Sequence, residues 1–157
     1  MMKRIDDWHP KNGMQTAIID GEESVTYREL EERVQERANI LAGIPQKVIL
    51  APMSNAIDQL INFLALIRAD KVAVPVNAGL SDQGLQDMVN QFEDPLVLTD
   101  IRTIFPKAAV PSDSAEYASP NDLAFIGFTS GTTGQPKGYR RTHQSWVKSF
   151  EGTNELI

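Results

Sequence analysis

Ten consecutive residues, Thr129-Ser130-Gly131-Thr132-Thr133-Gly134-Gln135-Pro136-Lys137-Gly138, combine four hydroxyls, three glycines and one lysine. Hydroxyls and backbone N–H groups donate hydrogen bonds and the ammonium supplies positive charge, so the segment is suited to holding a phosphate. Glycines let the backbone approach such an anion closely. The segment follows Phe125-Ile126-Gly127-Phe128, which reads as a buried strand. It is not a Walker A loop, which needs Gly-Lys-Ser/Thr opening a helix. Pro136 has no N–H to donate and turns Gln135 away from helical geometry, and no Ser or Thr follows Lys137 to ligate magnesium. Residues 129–138 are therefore expected to wrap a phosphate as a turn. Composition alone would favour a ligand-free turn; the order of the ten residues carries more.

The elements that must position this segment alternate between strand and helix. Ala17-Ile18-Ile19 and Ser24-Val25 flank Asp20-Gly21, a hairpin signal. A helix is predicted from Tyr27 to Ala42, with Thr26 and Glu29 at capping-box spacing and Tyr27, Leu30, Val34, Ala38 and Leu41 on one apolar face. Lys47–Ala51 reads as a strand, followed by a helix from Ala56 to Arg68 capped by Ser54 or Asn55 and apolar almost all round, as buried helices are. Val72–Val76 is the next strand. Ser81 caps a further helix with Leu85, Met88, Val89 and Phe92 inward, broken at Asp94-Pro95, and Leu96–Leu98 is a strand. Residues 101–118 show no periodicity and read as an irregular connection, and Thr142–Phe150 has the pattern of a starting helix. Strands beginning near 47, 72, 96 and 123, with helices in the first two intervals, predict a parallel, doubly wound α/β sheet. Such sheets bind ligands beyond the carboxyl ends of their strands, where the hydroxyl-rich segment falls.

Length fits about one domain at 157 residues. The net charge of −6, with interspersed signs, carries no basic-aromatic surface for nucleic acid. Arg140-Arg141 is the densest basic spot after the loop, equally a solvated pair or a phosphate neighbour. The most apolar stretch, Ala56–Ala69, is interrupted by Asp58, Gln59, Asn62 and Arg68, so no transmembrane segment is expected. The absence of cysteine removes disulfides, thiolate nucleophiles and thiolate ligands, and a cytoplasmic location is the default. No His/Asp/Glu cluster has metal-ligand spacing. His143 stands five residues after Gly138, either lining the site or starting a helix; His9 reads as a solvated terminus and Trp146 as a packing residue.

The order of residues 129–138 resembles the phosphate-loop signature of the adenylate-forming (AMP-binding) superfamily, which includes acyl-CoA and aryl-CoA synthetases, luciferases and the adenylation domains of peptide synthetases. Thr26-Tyr27-Arg28-Glu29-Leu30 and the stretch Leu66–Val76 resemble two further family segments, except that Arg68-Ala69-Asp70 stands where the family usually has Lys-Ala-Gly. The resemblance covers about residues 15–150. It implies that residues 1–157 are an incomplete N-terminal part of an adenylate-forming enzyme's large domain. It also implies a two-step reaction: a carboxylic acid attacks the α-phosphate of ATP, giving an acyl-adenylate and pyrophosphate, and a thiol, usually coenzyme A as co-substrate, takes the acyl group. By match to the motif, Thr129, Ser130, Thr132, Thr133 and Lys137 would contribute donors, Gly131, Gly134 and Gly138 would let the backbone close in, and Lys137 would neutralise phosphate charge as the catalytic residue.

The family's aromatic-Gly-x-Thr-Glu segment, whose Glu helps hold Mg2+, has no counterpart in this sequence, so the Mg2+ ligands are not expected in this chain. The ribose-binding aspartate, the hinge and the C-terminal lysine are likewise missing, and the chain alone is expected to be inactive. Three readings follow: the amino-terminal part of an acyl-CoA synthetase of the long-chain fatty acid-CoA ligase kind, favoured because no carrier or condensation segment is visible; an adenylation domain of a peptide or aryl-acid synthetase; and a non-enzymatic truncated remnant that associates through uncovered apolar surface.

Overall fold

The computed structural model describes residues 13–53, 55–77, 79–98, 119–129 and 137–154. Strands β1 (Thr16–Asp20) and β2 (Glu23–Thr26) form the expected antiparallel hairpin, with Gly21 at φ +61 in its turn. Helix α1 (Tyr27–Ala42) starts at the capping box. The Thr26 N–H donates to the Glu29 carboxylate at 2.8 Å, and the Glu29 N–H donates to the Thr26 hydroxyl at 3.2 Å. The Thr26 N–H bond first, and then the bond the Thr26 hydroxyl donates to the same carboxylate at 2.9 Å, hold the Glu29 carboxyl below its ordinary range. Leu30, Val34, Ala38 and Leu41 are buried as the periodicity requires, joined by Ile40, while Tyr27 is only partly covered.

A five-stranded sheet follows in the order β5-β3-β4-β6-β7, from β3 (Val48–Met53), β4 (Val72–Asn77), β5 (Leu96–Val97), β6 (Leu123–Thr129) and β7 (Lys137–Thr142). β3 pairs in parallel with β4 and β5, and β4 with β6. β7 departs from expectation: it runs antiparallel to β6, and it places Lys137 and Gly138 in a strand rather than in a loop. Its physical cause is the edge of β6, whose backbone groups need partners. Exposed along Lys137–Arg140, β7 carries no apolar alternation by which a sequence would reveal it.

Helix α2 (Ala56–Arg68) is capped by Asn55, whose side chain accepts from the Asp58 N–H at 2.7 Å, and α3 (Asp82–Val89) by Ser81. α3 ends before the predicted Asp94-Pro95 break; Phe92 lies in the turn beyond it, yet still packs edge-on to Phe128. α4 (His143–Asn154) completes the described elements.

The sheet is covered on both faces. Ile49, Ala51, Ala73 and Phe125 face the side of α2, α1 and Trp146 of α4, whereas Leu50, Val72, Val74, Val76 and Ile126 face Met88, Leu85 and Val89 of α3. This is the doubly wound arrangement. α1 is tied to α2 by two ion pairs, Arg68 with Glu31 and Arg37 with Asp58. The Arg37 hydrogen bond is the largest influence holding the Asp58 carboxyl below its usual range. The connection leaving β4 crosses to β5 at one edge, and that leaving β6 goes to β7 at the other. The carboxyl ends of β4 and β6 thus form a topological switch point, where open α/β sheets leave a crevice for ligands.

Candidate phosphate site

β6 delivers Thr129 to the carboxyl edge of the sheet, and β7 begins there with Lys137. Pairing sets the two directly opposite each other, with the Thr129 hydroxyl 3.4 Å from the Lys137 carbonyl it donates to. Directly opposed residues project to the same face. The Thr129 hydroxyl and the exposed Lys137 side chain therefore leave the same face of the sheet, where the chain leaves one strand and enters the next. Gly138 lies opposite Phe128; a Cβ at Gly138 would sit 3.3 Å from that ring. Ser130, Gly131, Thr132, Thr133 and Gly134, the other candidate phosphate contacts, fall outside the described residues.

His143 is not at this site. β7 carries the chain from Lys137 away from the loop, and six extended residues span about 20 Å. His143 sits at the amino ends of the parallel strands, its N–H bonded to the Asp122 carbonyl at 3.1 Å. Its Nε2 is buried with no hydrogen-bond partner among the described residues. Burial pulls the imidazole pKa below 6.5 and outweighs Asp70 and Asp122, which favour the charged ring. This describes a neutral helix-start residue. Trp146 packs between Phe125 (4.8 Å between ring centroids), Phe150 (5.3 Å) and Phe63 (6.0 Å), as a core residue does.

Arg140 and Arg141 point to opposite faces of β7, Arg140 exposed opposite Ile126 and Arg141 opposite Phe125, donating to the Ser145 carbonyl. They are not a paired phosphate clamp. Also away from the site, at the start of β4, lies a group the sequence reading missed: Lys71, 8% exposed, donates to the Ile44 carbonyl at 2.5 Å. Asp70 beside it has φ 54 and pairs with Lys47.

Among the described residues no group of three or more His, Cys, Asp or Glu could hold a metal ion. No helix among the described residues is long and apolar enough to cross a membrane. Large apolar side chains exposed there are Met14, Ile19, Leu60, Tyr139 and Phe150.

A doubly wound sheet with Thr129 and Lys137 paired at its switch point is an open α/β architecture, and the comparisons give it a family. The model of the AMP-binding enzyme family matches residues 5–156, and the chain belongs to that family. Curated relatives include tyrocidine synthase 3 of Brevibacillus parabrevis, 28% identical over 87% of this chain and 2% of that protein, and bacitracin synthase 2 of Bacillus licheniformis, 28% identical over 86% and 6%. Among solved structures, the N-terminal subdomain of Klebsiella oxytoca NpsA superposes with TM-score 0.74 at 26% identity, over 92% of this chain and 41% of that one. The o-succinylbenzoate CoA synthetase MenE of Bacillus subtilis gives TM-score 0.78 at 20% identity, over 98% and 45%. The chain thus spans a few per cent of the length of those peptide synthetases and under half of those solved chains.

Proposed function

We propose that this chain is the phosphate-binding portion of an adenylate-forming enzyme of the peptide-synthetase or aryl-acid kind, activating an amino or aryl acid with ATP. The observation that carries this reading is the pairing of Thr129 with Lys137 at the switch point of a chain in the AMP-binding family. Its curated relatives include peptide synthetases, and the NpsA subdomain at 26% identity is described in complex with anthranilyl-AMSN. These favour the second of the three sequence readings over a long-chain fatty acid-CoA ligase. The coenzyme A synthetase MenE is 20% identical and speaks for the fold alone, so the thiol acceptor is left as coenzyme A or a carrier.

In the first half-reaction an acid carboxylate oxygen bonds to the α-phosphorus of ATP, and the α–β bridging bond breaks with its electron pair passing to pyrophosphate. Lys137 sets a point charge against the charge that develops there, and the Thr129 hydroxyl turns from the Lys137 carbonyl to donate to it. Ser130, Thr132 and Thr133 add donors, while Gly131, Gly134 and Gly138 let the backbone close on the anion.

The test is acid-dependent ATP–pyrophosphate exchange by the intact natural product, with amino acids, aryl acids and long-chain fatty acids as substrates. Exchange with amino or aryl acids is expected, and Lys137→Ala should lower kcat/KM for ATP by about 100-fold. Activity confined to fatty acids would overturn the reading. The 157-residue chain alone is expected to give no exchange.

A further inference from the structure

Gly127 of β6 and Tyr139 of β7 stand directly opposite each other, one same-face position below the pair Thr129 and Lys137. A Cβ on Gly127 would lie 2.3 Å from Tyr139 Cζ, 2.4 Å from its hydroxyl oxygen and 2.7 Å from Cε1. The phenol ring therefore fills the volume that any side chain at position 127 would need. It is held from one side by Phe125, edge-on at 6.1 Å and 82°. Phe125 is itself fixed by Phe63 at 5.6 Å and Trp146 at 4.8 Å.

On this face β6 presents Phe125, Gly127 and Thr129 in turn. A slip of the pairing by one residue would move the Tyr139 ring to the opposite face of the sheet. A slip by two would drive it onto Phe125 or Thr129. Only the present register offers an empty seat, and β7 has no apolar pattern of its own to choose one. We propose that Tyr139 is a positioning residue for the phosphate site: its ring, seated on Gly127, fixes the register that sets the Thr129 hydroxyl opposite Lys137. The consequence for ligand binding rests on the nucleotide reading above; the register claim does not.

The experiment measures backbone amide exchange and ATP affinity in the intact protein for Tyr139→Phe, Tyr139→Leu, Tyr139→Ala, Gly127→Ala and the double variant Gly127→Ala/Tyr139→Ala. Tyr139→Phe keeps the ring and should match wild type in both readouts. Tyr139→Ala and Gly127→Ala should each speed exchange at the β6 and β7 amides by about tenfold, the worth of one aromatic contact. β3 and β4 amides should stay unchanged, which a general loss of stability would not allow. The double variant should be no worse than the poorer single, because both remove the same seating. ATP affinity should fall in step with exchange, and Tyr139→Leu should lie between the extremes if Tyr139→Ala fails to fold. Unchanged exchange in Tyr139→Leu and Gly127→Ala would overturn the proposal. Faster exchange in a protein whose wild type binds no ATP would uphold the register claim and sink the nucleotide reading.

Discussion

Arg68 closes α2 and Glu31 lies on α1; Nη1 of the first donates to Oε1 of the second at 2.5 Å, with side chains only 10% and 19% exposed. Glu31 Oε2 is buried with no hydrogen-bond partner among the described residues, so the carboxylate leans heavily on the guanidinium. Arg68→Met removes the cation and leaves a buried charge uncompensated, which costs about 3–5 kcal/mol in such settings. Unfolding entropy of about 2.1 cal/mol/K per residue over 157 residues gives about 0.33 kcal/mol/K, so the melting temperature should fall by about 9–15 °C. Arg68→Lys keeps the charge but loses the planar fork, and should fall between wild type and Arg68→Met. Glu31→Leu combined with Arg68→Met removes both charges and should return to within about 1 kcal/mol of wild type. Equilibrium urea unfolding, followed by tryptophan fluorescence, reads all four proteins. If Arg68→Met loses under about 1 kcal/mol, or the double variant is no better than the single, the pair is not the buried tie between α1 and α2 argued from its exposure.

Burial, with Lys47 adding to it and Asp70 opposing, holds the Lys71 ammonium below its ordinary 10.5. The unfolded chain therefore binds more protons between the folded and unfolded pKa values, and stability rises with pH through that window, is full above 10.5 and is lost as pH falls through the folded value. Lys71→Met should flatten that rise, and parallel urea midpoints for the two proteins at about pH 8 and about pH 10 would rule the effect out. Asp70→Gly and Asp70→Ala both lose the pairing with Lys47 and differ only in tolerance of φ 54, so the glycine variant should be the more stable by about 1 kcal/mol; equal midpoints would refute the strain.

The elements buried on at least one face were legible in the sequence because their apolar residues must recur with the element's own period. α1 and α2 match their predicted bounds, and the caps at Thr26, Asn55 and Ser81 stand where side-chain oxygens precede the apolar run. The departure at Arg68-Ala69-Asp70 was also visible, but not its meaning. Asp70 occupies a left-handed conformation where glycine carries no penalty, which is a reason for the family's usual glycine there. Arg68 lies against a carboxylate on another helix, a contact that no local spacing encodes. α3 stopped short of its predicted break because a turn can bring Phe92 to the core as readily as a further helical turn.

The chemistry proposed for the site comes from residue types in the sequence, but the placement of those residues does not. Whether Lys137 ends a loop or begins a strand depends on the edge of β6, a tertiary fact. The same hidden strand decides between the two readings of His143, as a site residue or a helix start. Five residues after Gly138 is near in sequence, and in a turn it would be near in space. In an extended strand it is most of the height of the sheet, and the histidine ends at the amino edge beside Asp122. The reverse holds for Thr129 and Lys137, eight apart in sequence and directly paired. What decides both distances is the register of one exposed strand. With no core pattern to set that register, it falls to the one place on β6 where a ring can lie, above Gly127.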